Sequence, residues 1–513
     1  MGETTAKTAQ SLYEKLKTDR EPFLRRARDC SALTIPSLIP PMGHTGSSVL
    51  PTPWQAIGAR GVNHLSAKML MSLFPVNAAF FRYTIDDYAL EQLTQQEGMR
   101  AKVEEGLNKS ERAVQNEIES SAIRVSAFEG IKHLVVGGNV LLNLPQQGGM
   151  RVFHLDRYVV RRDPMGNVLD IVTEEEVDRD VLPESMQLPE EDGKDKCEPV
   201  KVYTHVCRAG NKWKVYQETK GVVIPGTEGT YPIDKSPWIP VRFTKIDGEN
   251  YGRGYVEEYL GDLKSLEGLQ QAIVEGAAAA AKILFLVNPN GVTDMDDLAK
   301  AENGAFREGT EQDVTVLQLQ KYNDFRVAKE AADTITERLS FAFLLNSAVQ
   351  RNGERVTAEE IRYVANELEA SLGGIYSILS QELQLPLVHR IIYQMEKQKR
   401  LPVLPAKAVK PVIVTGIEAL GRGNDLQKLD QFMAPVLQIP QAMERINFED
   451  YMSRRATALG MDAKGLVKTD EQVAQEQAAQ QQAAMMQQGL APAINQAGGL
   501  IKQGMQNGQS PQG

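Results

Sequence analysis

Cysteine is scarce in this chain. The three present, Cys30, Cys197 and Cys207, build no disulfide framework and point to a reducing compartment. Histidine is scarce too, and His44, His64, His133, His154, His205 and His389 fall without the i, i+4 or paired-cysteine spacing that gathers a metal ion, so no metal and no cofactor is expected. The longest apolar run, Ala277 to Val287, is interrupted by Lys282 and falls far short of the ~20 residues a membrane-spanning helix needs. The polar N-terminus has no apolar h-region, so no secretory signal is expected. Basic charge is in deficit as well, with 57 Lys and Arg against 67 Asp and Glu. A clamp on duplex DNA neutralises phosphates with clustered cations, and a net charge of −10 argues against one. It does not argue against a conduit, which must let its cargo pass.

What is present is ample core material. At 513 residues, 42% of them hydrophobic, the chain exceeds the usual limit of one packing unit. Residues 3–35 read as helix broken near Glu21-Pro22, Gln55 to Phe74 as a helix stopped by Pro75, and 86–132 as mostly helix with weak points at Gly98 and Gly106. From Asn139 the pattern shifts to short strands: Val140–Leu144, Val152–Leu155, Tyr158–Arg161, Val168–Val172, Lys201–Cys207, Trp213–Gln217 and Pro240–Thr244. Turn signals between them imply an antiparallel sheet. Pro183 to Pro199 is an acidic, proline-bounded loop. The fold class expected is α+β, mainly helical.

Helix returns from Gly254 to about Leu284. Val256, Leu260, Leu263, Leu266, Ile273 and Ala277 make an apolar face, and Glu257, Glu258, Asp262, Glu267 and Glu275 an acidic one. Gly276 and the alanines after it permit close approach by another helix. An insertion of about forty residues follows, with strands Ile283–Val287 and Val314–Leu319 and a turn at Asn288-Pro-Asn-Gly291. The return helix runs from Asp324 to Asn346. Then comes a short Arg/Gly loop, Gln350 to Arg355, and a helix whose capping box is Thr357 and Glu360. Continued to Arg400 it would span roughly 65 Å at about 1.5 Å per residue. Gly373-Gly374 and Pro386 are the expected bends. Strand from Pro402 to Thr415, helices from Asp425 to Leu459 and a glutamine-rich low-complexity tail from Gln472 complete the chain.

Catalytic motifs are thin. Gly416 to Gly423 has the setting of a phosphate loop, but Arg422 and Gly423 stand where a Walker loop needs Lys and Ser or Thr. Glu174, Glu175, Glu176, Asp178 and Asp180 could collect Mg²⁺ as nuclease carboxylates do, which keeps a metal-dependent hydrolase or nuclease as an alternative. The plainer reading of such a run is a solvated strand edge. Asp294, Asp296 and Asp297 lack the glycine and distal glutamate of a calcium loop. A helical scaffold protein is the third reading. No enzyme is expected.

Four segments carry a resemblance: Tyr251-Gly-Arg-Gly-Tyr-Val-Glu-Glu-Tyr-Leu-Gly-Asp-Leu263, Phe341-Ala-Phe-Leu-Leu-Asn-Ser-Ala-Val-Gln-Arg351, Gly353-Glu-Arg-Val-Thr-Ala-Glu-Glu-Ile-Arg-Tyr363, and Gly373-Gly-Ile-Tyr-Ser-Ile-Leu-Ser-Gln-Glu-Leu-Gln-Leu-Pro386. With the order of parts, they resemble the portal (head-to-tail connector) proteins of short-tailed double-stranded DNA bacteriophages. The resemblance implies a ring with an axial channel, typically of twelve subunits, at one capsid vertex. It implies a wing at 1–250, stem helices at 251–284 and 323–346, a clip at 285–322 and a tunnel loop at 347–356. The long kinked wing helix and following strand would be 357–423 and crown helices 424–471, before the tail at 472–513. Arg351, Asn352 and Arg355 would face DNA in the channel, and Glu257, Glu258, Asp262, Glu267 and Glu275 would line the stem. Asn288, Asn290, Asp294, Asp296 and Arg307 would serve the clip. The partners implied are further copies of the chain, major capsid and scaffolding proteins, the terminase motor, a tail adaptor, internal core proteins and passing double-stranded DNA. No membrane partner is expected, and the place implied is the virion, after assembly in the bacterial cytoplasm.

Overall fold

The computed structural model describes residues 8–75, 80–85, 99–146, 148–182, 199–280, 284–317, 322–345, 372–402, 409–413 and 430–436, with isolated positions between 448 and 479. The chain divides into two compact units, Met1–Asp86 with Ser110–Ala419, and Asp87–Lys109 with Leu420–Gly513.

The larger unit opens with helix α1 (Ala9–Ala32). Thr8 caps it, its hydroxyl accepting from the Ser11 amide, and the Glu218 carboxylate accepts from the amides of Ala9 and Gln10 at 2.8 and 3.3 Å. A carboxylate at that end meets both the open donors and the helix dipole. The expected break at Pro22 does not occur; the helix runs through it. Packing on both sides of the proline outweighs the missing backbone bond. Ala9, Tyr13 and Leu16 pack with Val159, Val172 and Tyr203, while Leu24 and Ala27 pack with Tyr158, Val160 and Ile171.

Those two sets lie on opposite faces of one antiparallel sheet. Its order is β4 (Tyr158–Arg162), β5 (Val168–Val177), β6 (Val200–Ala209), β7 (Lys212–Thr219) and β8 (Val222–Val223), with β9 (Gly229–Pro232) also on β7. Because neighbouring residues of a strand alternate faces, α1 must cross the outer strand β4. Arg20, fully buried, marks the crossing and donates to the carbonyls of Asp156 and Tyr158 at 2.7 and 3.0 Å. Two backbone donors on β4 are also taken by side chains: Val160 donates to the Tyr251 hydroxyl and Arg162 to Asn250 Oδ1.

The main core gathers α2 (Ile57–Leu73), the second half of α3 (Met99–Ser120), α4 (Ile123–Gly137) and a three-stranded sheet of β10 (Trp238–Arg242), β2 (Asn139–Asn143) and β3 (Arg151–Phe153). Strand β1 (Phe81–Ile85) pairs antiparallel with β13 (Val409–Ile413), Phe81 opposite Ile413. Only the β13 side of that pair is expected from sequence. The predicted strands from Val140 to Thr244 all form, within a few residues of their expected bounds.

The end of the long helix is also in this core. A turn at Gly373-Gly374, with Gly373 at φ +46°, precedes α9 (Ile375–Leu379), a π-helical segment (Ser380–Gln384) and α10 (Leu385–Lys397). Pro386 has no N–H for the Glu382 carbonyl, and widening the preceding turn is how a helix absorbs that loss. The interruption expected at Gly373-Gly374 is therefore present as a turn, and at Pro386 the helix continues through a π-helical segment. The stretch from 357 to 371 lies outside the described residues. In the smaller unit, Arg455 donates to the Tyr451 hydroxyl at 3.0 Å and its guanidinium pairs with Asp430.

Candidate functional site

Two glycines launch the helices that carry the acidic residues. Asn139 Nδ2 donates to the Gly252 carbonyl at 2.8 Å, and the Gly252 amide donates back to Asn139 Oδ1 at 2.7 Å. Gly138, at φ +72°, lies so close to the 253–254 peptide that a Cβ there would stand 2.3 Å from the Arg253 carbonyl carbon. A Cβ on Gly254 would stand 2.5 Å from the Val136 oxygen. This explains the Tyr251-Gly-Arg-Gly-Tyr string physically: α4 and the start of α5 (Tyr255–Glu258) touch backbone to backbone.

After α5 comes α6 (Leu260–Ala280), and α8 (Tyr322–Ala342) lies beside it. Leu263, Leu266, Ala332 and Leu339 are buried at the end nearer the core. There Tyr255 stacks edge-on to Phe343 at 6.0 Å and donates to the Ala342 carbonyl at 2.8 Å. Burial, with the Tyr259 hydroxyl alongside, pushes the Tyr255 phenol well up. At the far end Phe325 covers Gly276, where a Cβ would meet the ring at 2.3 Å. The close approach expected of Gly276 is thus made within one chain, whereas Ala277, expected on the apolar face, is exposed.

The five acidic residues do not form one uniform face. Glu257 pairs with Arg26 and Arg253 at 3.2 and 3.4 Å, and Asp262 with Arg338 at 2.9 Å. Glu267 accepts from the amides of Trp54 and Gln55 at 2.8 and 3.3 Å. Glu258 is exposed; Glu275, also exposed, accepts from Gln271 at 2.9 Å. Three of the five are half-buried against other elements, and local spacing carries no sign of those distant partners.

The inserted unit is a two-stranded ribbon, β11 (Leu284–Val287) against β12 (Val314–Leu317), with the short helix α7 (Met295–Ala299). Asp294 caps α7, accepting from the amides of Asp296 and Asp297, and Arg307 pairs with Asp297 at 2.9 Å. Asn288 Oδ1 accepts from the Asn290 amide at 3.1 Å. The organising residue is one the sequence reading missed. Asp313 Oδ2 accepts from the Val292 amide, the Thr293 amide and the Thr293 hydroxyl, and its carbonyl accepts from Asn288. A Cβ on Gly291 would strike the Asp313 carboxyl at 2.4 Å. No local pattern announces a hub some twenty residues from the turn it holds.

The π-helical segment is anchored by charge. Glu382 accepts from the Arg242 amide at 3.0 Å and from its guanidinium at two atoms, with Arg162 3.8 Å away. Burial pulls the Arg162 guanidinium down to about 10, against the upward pull of Glu382.

Other expectations resolve plainly. Along β5, Glu174, Glu175 and Glu176 point alternately to opposite faces. Glu174 is held by Lys201 at 3.0 Å and by the Tyr203 hydroxyl, and Glu175 by Arg151. They do not converge as a metal site would require, and among the described residues no group of three potential ligands gathers anywhere. No described helix is long and apolar enough to cross a membrane. Arg351, Asn352 and Arg355, the Gly416–Gly423 segment, Cys197 and most of the acidic loop lie outside the described residues, as does nearly all of the glutamine-rich tail.

Comparison with known proteins agrees over most of the chain. Residues 6–467 match the family described as bacteriophage head to tail connecting protein. The chain is 47% identical to the portal protein of Escherichia phage T7, covering 97% of this chain and 93% of that one. It is 48% identical to the portal protein of Enterobacteria phage T3, covering 90% and 89%. The portal protein of Enterobacteria phage SP6 is 32% identical over 97% of each. Among solved structures, the neck of an empty gene transfer agent particle aligns at a TM-score of 0.37 and 10% identity, covering 84% of this chain and 94% of that one. Over residues 6–467, this chain belongs to the family of bacteriophage head to tail connecting proteins.

Proposed function

We propose that the chain is the portal subunit of a bacteriophage capsid, and that copies of it close into a ring at one vertex. The observation that carries this is identity near one half to portal proteins over most of the length of both chains. The finer reading follows the sequence expectations. Residues 1–250 are taken as wing and α6 with α8 as stem. The ribbon and α7 serve as clip, 347–356 as tunnel loop and 424–471 as crown.

In this reading the ring, of twelve copies, conducts double-stranded DNA during packaging and ejection. Glu258, at the end of α5, and Glu275, on α6, are both exposed; in this reading they repel phosphates and keep the duplex centred. The remaining acids hold the subunit together. Arg351 and Arg355 give weak, sequence-independent phosphate contacts to moving DNA. Capsid and scaffolding proteins surround the wing, and the terminase motor and later the tail adaptor dock on the clip. Purified protein imaged in negative stain, with its mass measured, tests the core of the reading: a closed oligomer with an axial hole is expected. Monomers or dimers at all concentrations would overturn it.

A further inference from the structure

A buried arginine is costly, because it stays charged and carries a fork of N–H donors that each need an oxygen. Other deeply buried arginines of the larger unit meet that need from within. Arg20 has two carbonyls and the Asp156 carboxylate at 3.5 Å, and Arg242 has Glu382. Arg390, on α10, does not. It is 2% exposed, and among the described residues its hydrogen bonding amounts to Nε donating to the Leu144 carbonyl at 3.1 Å. Burial pulls the guanidinium below its ordinary value, and the groups opposing that shift are Tyr231 and Tyr393, with no carboxylate among them.

Those two rings cannot complete the site. The guanidinium carbon lies 5.3 Å from the ring centroid of Tyr231, on β9, and 5.8 Å from that of Tyr393. An aromatic face takes the flat side of the cation, which leaves the in-plane donors of Nη1 and Nη2 unused. Neither nitrogen is among the buried side-chain atoms closed off without a partner, so an atom from outside can reach them. The neighbourhood is cationic as well. Arg390, Tyr393 and Lys397 recur at i, i+3 and i+7 along α10. Lys235 and Lys397 place their ammonium groups 5.2 and 5.6 Å from the Tyr393 ring centroid. Glu396, 3.8 Å from Lys235, offsets part of this charge, and His389 lies 3.8 Å from Asp234. A planar fork with free donors amid surplus positive charge is the arrangement that receives an oxyanion.

We propose that Arg390, with Tyr231, Tyr393, Lys235 and Lys397 around it, binds an oxyanion that the described part of this chain does not supply. Carboxylate and phosphate offer a guanidinium the same pair of oxygens. Two sources therefore fit: a free phosphate ion, or a carboxylate of a neighbouring copy.

The test is equilibrium dialysis of radiolabelled inorganic phosphate against the full-length protein at constant ionic strength, with oligomer mass measured in parallel. Arg390→Gln removes the charge and keeps a donor for the Leu144 carbonyl; Arg390→Lys keeps the charge. Arg390→Gln should weaken phosphate binding by about tenfold or more, the worth of a charge-assisted pair, while its circular dichroism matches wild type. Arg390→Lys should retain part of the binding. Lys397→Gln, which leaves the Leu144 bond untouched, should weaken it roughly threefold.

If wild type takes up no phosphate, the source is the neighbouring copy. Arg390→Gln should then fail to form the oligomer that wild type and Arg390→Lys both form, with its circular dichroism still unchanged. Phosphate bound equally by wild type and Arg390→Gln would overturn the proposal. So would the absence of phosphate binding together with an unchanged oligomer mass and melting temperature in Arg390→Gln. Should that variant not fold, Lys397→Gln decides by the same readouts, and values equal to wild type overturn the proposal.

Discussion

Acid should loosen the larger unit through one histidine. His133 lies on α4, 4% exposed, with its ring stacked on His154 at 6.2 Å between centroids and 24° between planes. Neither Nδ1 has a hydrogen-bond partner. Burial, helped by the neighbouring imidazole, pulls His133 down from 6.5 to about 3. His154 is also lowered by burial, with Asp156 opposing and Arg157, Arg20 and Arg28 reinforcing. A depressed base protonates in the unfolded chain before it does so in the folded one. Stability is therefore complete above the unfolded value near 6.5 and drains away as pH falls, levelling off near the folded value. For His133 alone, the loss by pH 5 is about 2 kcal/mol, from the linkage relation with an unfolded pKa of about 6.5.

Urea unfolding at neutral pH and at pH 5, followed by circular dichroism at fixed oligomeric state, measures it. His133→Leu should remove about 2 kcal/mol of the difference between the two conditions. Equal pH sensitivity in variant and wild type would refute the reasoning, whatever the variant's absolute stability.

Three other outcomes are expected. Gly138→Ala should cost about 2–5 kcal/mol, combining left-handed strain with a collision against fixed backbone, and should lower the melting temperature of the subunit. Glu382→Ala leaves Arg242 and Arg162 without their counter-ion and should destabilise by about 3–5 kcal/mol, measured by denaturant titration. Changing Arg351 and Arg355 together to Ala should leave ring assembly intact and impair DNA packaging or retention in a defined packaging assay; normal packaging would refute the tunnel-loop assignment.

Local pattern was legible where one element decides its own fate. The helices α6 and α8, the strands β2 to β7 and the strand β10 follow from periodicity and turn residues. The irregularity before Pro386 is legible from the proline itself, which lacks the N–H its turn would use. What local pattern misses depends on distant partners. Pro22 stays helical because two different sheet faces grip α1 on either side of it. Strand β1 finds β13 across most of the chain's length. Glu257, Asp262 and Glu267 look like a free acidic face until Arg26, Arg338 and the Trp54–Gln55 amides are placed beside them. Asp313 is the clearest case, since its three acceptor contacts all go to residues about twenty positions away.

The side chains along β4 carry a last consequence. An outermost strand normally offers its free backbone groups to any passing chain, and crowded identical copies are the most dangerous company for such a strand. Here Arg20, Tyr251 and Asn250 occupy those groups from within the same molecule. Stripping away Arg20 and Tyr251 would leave a sticky border, and the penalty would appear as insoluble protein during expression rather than as a misshapen subunit.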